Sequence, residues 1–225
     1  MSDAVAGMQG PEFIRANTKL LPVPLAPEIR LHLAEESLPI WHKTEEELGQ
    51  INVPPPYWAF AWAGGQALAR YLLDNAIAVA GACVLDLGSG SGLAAIAAMR
   101  AGAARVLAAD IDPLALAAIE LNAAANSVAV EATREDLLVA MPNDTWSRFD
   151  VVLVGDLFYE RTLADRVLAF IVAATAHGAQ VLVGDPRRSY FPKERFRQVM
   201  EYSVPVTREL EDAEVKRAAV WRLAA

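Results

Sequence analysis

Nine residues, Val84-Leu85-Asp86-Leu87-Gly88-Ser89-Gly90-Ser91-Gly92, constrain this chain more than any other stretch. Val84, Leu85 and Leu87 suit a strand buried on both faces, and Gly88, Gly90 and Gly92 permit positive φ where the chain must turn into the alanine-rich segment that follows. Bare backbone at alternate positions also lets a ligand lie where any Cβ would intrude. A cofactor is therefore expected at this turn.

Two phosphate cradles fit the loop poorly. The dinucleotide fingerprint G-x-G-x-x-G/A requires a small residue where Leu93 stands, and a P-loop requires a Gly-Lys-Ser/Thr that the loop lacks. The run DLGSGSG instead resembles the first motif of class I S-adenosylmethionine-dependent methyltransferases, in which the glycine loop bends around the methionine end of a phosphate-free cofactor. Downstream, the strand predicted at Arg105–Ala109 ends at Asp110-Ile111-Asp112-Pro113. Asp110 lies 22 residues after Gly88, where an acid at a strand end accepts hydrogen bonds from ribose hydroxyls in doubly wound folds. Asp112, just before Pro113, reads as the N-cap of the next helix.

Strand and helix then alternate. Helices are predicted at 93–101, 113–125 and 163–176, and strands at 84–87, 105–109, 128–132, 149–154 and 180–183. Such an order gives parallel strands joined by right-handed crossovers, with ligands bound beyond the carboxyl ends of the strands. Two further strands, at 202–210 and 215–223, flank a turn at Glu211-Asp212 and read as a hairpin. The fold expected is a Rossmann-like seven-stranded α/β methyltransferase sheet, mostly parallel and closed by a C-terminal antiparallel hairpin.

Three prolines, Pro54 to Pro56, mark the entrance of that domain, since they fit neither a helix nor a central strand. Residues 54–225 are assigned to the methyltransferase domain and 1–53 to an N-terminal extension that is disordered to about residue 10 and holds a strand around Ile29, Leu31 and Leu33. Glu45 to Glu47 read as a solvated acidic turn or the first turn of a helix. Tyr57, Trp58, Phe60 and Trp62 precede a helical pattern at 66–74 and either pack or bind something flat.

The chain of 225 residues carries a net charge of −8, which disfavours a nucleic-acid face. No apolar run reaches the ~20 residues of a membrane span, and the first residues lack a signal peptide's pattern, so a cytoplasmic, monomeric protein is expected. A single cysteine, Cys83, precludes an internal disulfide and reads as a small buried hydrophobe. Three histidines without a clustered Cys or carboxylate set point to no metal site.

The segments YWAFAWAGGQALARYLLD, VLDLGSGSGLAAIAA, DIDPLALAAIELNAAAN, VVLVGDLFYE and VGDPRR, in this order, resemble the electron transfer flavoprotein β-subunit lysine methyltransferase group of seven-strand protein lysine methyltransferases. The resemblance implies S-adenosylmethionine as cofactor, S-adenosylhomocysteine as product and a protein substrate, the β subunit of electron transfer flavoprotein first. It implies that Asp86, Gly88 and Gly90 hold the methionine end, Asp110 the ribose, Asp136 and Trp62 the adenine side, and Asp156 with Tyr159 the acceptor lysine. Asp136 reads equally as a capping or solvated acid. Tyr159 has a second reading as a core aromatic, which is the preferred reading of Phe158. A small-molecule amine or carboxylate methyltransferase, or one acting on another protein such as a ribosomal one, shares the cofactor half.

Overall fold

The computed structural model describes residues 10–34, 55–139, 148–208 and 213–224. The first of these form a helix, α1 (Gly10–Asn17), and a hairpin of β1 (Lys19–Pro22) and β2 (Arg30–Leu33). The strand at β2 was expected; α1 and β1 were not. With Phe13 and Ile14 as its apolar residues, α1 is too short for a periodic signal, and it forms because Ile14 is buried against Trp58, Ala115 and Ala118. The predicted disorder before Gly10, the Glu45–Glu47 turn and the Glu211-Asp212 turn lie outside the described residues.

Beyond the Tyr57–Ala59 turn, α2 (Ala63–Asp74) leads into the main sheet. β3 (Cys83–Leu87) pairs in parallel with β4 (Arg105–Ala109) on one side and β6 (Val151–Gly155) on the other. β5 (Glu131–Thr133) extends the sheet beyond β4, and β7 (Gln180–Asp185) beyond β6, both in parallel. β9 (Val215–Leu223) then pairs antiparallel with β7, and β8 (Phe196–Pro205) antiparallel with β9. The strand order is β5-β4-β3-β6-β7-β9-β8, the expected seven-stranded sheet with its antiparallel end. β8 starts six residues earlier than the sequence suggested. It is an edge strand whose faces are largely solvated, so Arg197 to Glu201 carry no clean alternation.

The crossover helices are α3 (Leu93–Arg100), α4 (Pro113–Ala125) and α5 (Arg161–Ala176). Continuous apolar strands split their side chains between two layers: Val151 and Leu153 join α2 and α3 in one core, while Val152 and Val154 join α5 in the other. Local chemistry sets the helix starts. Asp112 Oδ1 accepts from Leu114 N at 2.8 Å ahead of Pro113, the predicted cap. Glu160 accepts from Thr162 N and Leu163 N, each at 2.8 Å, which starts α5 two residues before the apolar pattern does.

Two contacts carry the fold into the site. Gly64 of α2 faces Gly184 of β7 so closely that a Cβ on Gly64 would stand 2.6 Å from Asp156 Oδ2 and press on the Gly184 carbonyl. The first turn of α2 thereby meets the carboxyl ends of β6 and β7. Buried Asn122 of α4 accepts from His32 N at 2.7 Å and donates to Ser91 O at 2.8 Å, tying the N-terminal hairpin to the glycine loop. No described helix is long and apolar enough to cross a membrane, and no group of metal-ligating side chains occurs among the described residues. Cys83 is only partly buried, at the first position of its strand.

Candidate functional site

The carboxyl ends of β3, β4 and β6, the segment after β5 and Arg188 beyond β7 surround a cleft of about 450 Å³, roofed by Tyr57, Trp58, Phe60 and Trp62. Its floor is the glycine loop. Gly88 and Gly90 have φ of 64° and 54°, conformations that glycine adopts at low cost and other residues disfavour, and the backbone of Gly88 and Ser89 is anchored on Ala109 O of β4. Asp86, the buried penultimate residue of β3, accepts from Ser89 Oγ at 2.5 Å and from Ala95 N at 3.0 Å, so it braces the loop against the first turn of α3. Burial outweighs these bonds, and with Asp110 nearby it raises the Asp86 carboxyl to about 6.

Asp110 leaves β4 into the same cleft. Its Oδ2 accepts from Gly90 N at 2.8 Å and its Oδ1 from Asp112 N at 3.0 Å, so the acid and the loop fix each other. Burial pushes both Asp110 and Asp112 above the usual carboxylate range, against backbone N–H groups that pull them down. Asp136 stands on the cleft wall beyond β5. It accepts from Leu138 N at 3.0 Å within a turn and pairs with Arg166 of α5 at 2.7 Å.

The other end of the cleft is built around Asp156, which follows β6 at a φ of 57°. Its Oδ2 accepts from Gly65 N at 2.8 Å, and its Oδ1 receives Arg188 Nη2 at 2.7 Å and Nε at 3.0 Å. Arg188 Cζ also lies 5.5 Å from the centre of the Trp62 ring. Asp185, the last residue of β7, is fully buried; its Oδ1 accepts from Arg188 N at 2.7 Å, and its Oδ2 has no partner among the described residues. Burial, reinforced by the Asp156 charge and opposed by Arg188, raises Asp185 to about 7.

Tyr159 is 42% exposed on the cleft wall, with its ring 5.3 Å from that of Tyr57, whereas Phe158 is fully buried against Phe191 and Phe196. The eight residues singled out in the sequence thus share one cleft, with one regrouping: Trp62 is joined to Asp156 through Arg188. Arg188 and Asp185 escaped the sequence reading, although VGDPRR was legible as a strand exit. Tyr57 was visible only as one aromatic among four.

The cleft suits a phosphate-free cofactor. Among the described residues six carboxylates line it, Asp86, Asp110, Asp112, Glu135, Asp136 and Asp156, against two arginines, Arg166 and Arg188, each in an ion pair. A pyrophosphate would meet net negative charge there, whereas the sulfonium and ammonium of S-adenosylmethionine would meet attraction.

Comparison with known proteins agrees. The family pattern of ribosomal protein L11 methyltransferase (PrmA) matches residues 66–175. Among solved structures, magnesium protoporphyrin IX methyltransferase from Synechocystis with bound SAM superposes at a TM-score of 0.51 with 15% identity, covering 71% of this chain and 78% of that one, which supports the fold. The electron transfer flavoprotein beta subunit lysine methyltransferase of Danio rerio is 39% identical over 216 residues, 93% of this chain and 81% of its own length. The human protein of that name is 37% identical over 215 residues, 93% of this chain and 80% of its own. Shared at this level along nearly its whole length, the chain belongs to the electron transfer flavoprotein β-subunit lysine methyltransferase family of S-adenosylmethionine-dependent enzymes.

Proposed function

We propose that this enzyme methylates lysine side chains of the β subunit of electron transfer flavoprotein, and that its cleft divides into a cofactor end and an acceptor end. The observation that carries this reading is the acceptor end itself, where Asp156 lies within the cleft while Tyr159, on Tyr57, lines a wall that reaches solvent. A lysine presented from a protein surface can enter such an opening, whereas a small-molecule enzyme would be expected to close it.

When bound, S-adenosylmethionine supplies a methyl group on a positively charged sulfur. In this reading Asp86, Gly88 and Gly90 hold its methionine end, Asp110 its ribose and Asp136 its adenine side; Trp62 belongs to the acceptor wall, since its ring lies beneath the guanidinium that pairs with Asp156. An arriving lysine ammonium is attracted by Asp156 and flanked by Tyr57 and Tyr159. These rings limit hydration of the charge and so oppose the preference for the charged form that Asp156 imposes on a group of ordinary pKa ~10.4, which must release its proton to water before it reacts. Asp156 with Tyr57 and Tyr159 would hold the neutral amine with its lone pair toward the cofactor end of the cleft, where the bound cofactor would supply the methyl group and keep the electrons of the broken S–C bond. Alignment of the two ends of the cleft supplies most of the rate, and no nucleophilic side chain is required. Residues 1–53 are proposed to help recognise the substrate, with the hairpin held on α4 by Asn122 and Asn126 as the base of that segment.

The test is mass spectrometry of purified electron transfer flavoprotein incubated with the enzyme and S-adenosylmethionine, beside an Asp156→Ala control. Lysine-borne gains of one or more methyl groups, absent in the control, are expected. No gain, with cofactor binding intact by calorimetry, rejects this substrate and directs the same assay to ribosomal proteins.

A further inference from the structure

The acceptor carboxylate already holds a cation. Arg188 directs two donors, Nη2 and Nε, at Asp156 Oδ1 and sets its guanidinium against the Trp62 ring, so a carboxylate and an aromatic face that would together receive a lysine ammonium both contact an arginine of the chain. The side chains are only 17% and 10% exposed, so water screens the pair weakly. The chain beneath it is pinned as well, with Arg188 N on Asp185 Oδ1 at 2.7 Å and Arg187 at a φ of 68°. Once displaced, the side chain returns to Asp156 as an intramolecular competitor, whose effective concentration for a short tether is in the millimolar range.

From this we infer that Arg188 is a specificity-determining residue: its guanidinium occupies the acceptor berth, and only a lysine delivered by a docked protein displaces it. The inference rests on the reading of Asp156 as the acceptor carboxylate. A free amine has little besides its own charge with which to compete against a tethered guanidinium that donates twice to Asp156 Oδ1. A lysine on a docked protein draws on contacts far from the reacting nitrogen, and that remote binding energy can offset the displacement. Arg188 thereby excludes the abundant small amines that the same charge and rings would otherwise attract.

The test uses the full chain with Nα-acetyl-lysine methylamide as the small-amine probe and electron transfer flavoprotein as the protein probe, following radiolabelled methyl transfer. Arg188→Gln is expected to raise kcat/KM for the small amine at least about tenfold, mainly by lowering KM, while transfer to the protein persists. Arg188→Lys keeps the charge and loses the fork, so its KM for the small amine should fall between wild type and Arg188→Gln. Where the glutamine variant fails to fold, the lysine variant alone decides: an unchanged or higher KM overturns the inference. Loss of transfer to both probes in Arg188→Gln, with melting temperature and cofactor affinity retained, overturns it too, by making Arg188 a support of Asp156. The Asp156→Asn variant separates the two readings. Full transfer by that variant removes the acceptor role of Asp156, whereas its inactivity beside an unimproved Arg188→Gln removes only the role given to Arg188.

Discussion

Replacing Gly64 by alanine tests how the fold delivers Asp156 to the cleft. Alanine is the better helix former by up to about 1 kcal/mol, so propensity alone predicts a gain. The structure predicts the reverse. The new Cβ would lie 2.6 Å from Asp156 Oδ2 and 2.7 Å from Gly184 C, and closer still to Gly184 O, where ordinary contacts begin near 3.4 Å. Neither neighbour is the free end of a flexible side chain: one is strand backbone, and the other is a carboxylate held by Arg188 and Gly65 N. The start of α2 must therefore lift from β6 and β7 by roughly 1 Å, and overpacking of this kind costs about 1–3 kcal/mol. For a chain of this size, that lowers Tm by about 2–4 °C per kcal/mol. Gly65→Ala is the internal control. Its Cβ meets only Leu93 Cδ2 at 3.8 Å, an ordinary contact, so stability should hold or rise. Scanning calorimetry of both variants measures the difference, and single-turnover transfer should fall in Gly64→Ala as Gly65 N draws away from Asp156. A Gly64→Ala protein that melts at or above the wild type, or two variants that fall equally, would refute the reasoning.

Three other outcomes are expected. Asp86 ionises near 6, and its charged form attracts the cationic end of the cofactor, so calorimetric affinity for S-adenosylmethionine should weaken as pH drops through that value and become flat and weaker in Asp86→Asn. Asp185 holds its proton to about 7 when folded but releases it near 3.8 when unfolded, so its stabilising contribution is complete below 3.8 and is lost as pH rises through 7. Asp185→Asn, which keeps the acceptor for Arg188 N, should be more stable than wild type at about pH 8 in urea titrations, by no more than about 4 kcal/mol, and should lose more than half of that advantage by about pH 5 and the rest below 3.8. Asn122→Ala strands part-buried His32 N and buried Ser91 O, so it should lower stability by about 1–3 kcal/mol and weaken cofactor affinity; a change in neither would show that the hairpin and the glycine loop are uncoupled.

The parallel part of the sheet was readable because its signals are local. Val151 to Val154 are apolar at four successive positions since both faces of β6 are covered, and Asp112-Pro113 caps α4 within the span of a single turn. The readings that fell short depend on partners far along the chain. α1 exists through Ile14 packing on Trp58 and α4, and the start of β8 lacks alternation because an edge strand buries little on either side. Asp136 carried two readings that no neighbouring residue could decide; Arg166, thirty residues on, gives it an ion pair.

By itself the sequence determined the order of strands and helices, the glycine loop and the acids that end β3, β4 and β6, since hydrophobic period, positive φ and strand exits are written within a few residues. Only the tertiary structure decided what those acids meet. Parallel pairing of β6 with β7 brings Asp156 and Asp185 to the same edge, and the turn after β7 returns Arg188 across 32 positions onto Asp156 and Trp62. Such a pairing leaves no periodic trace, because it depends on which strands become neighbours rather than on which residues are adjacent in the chain.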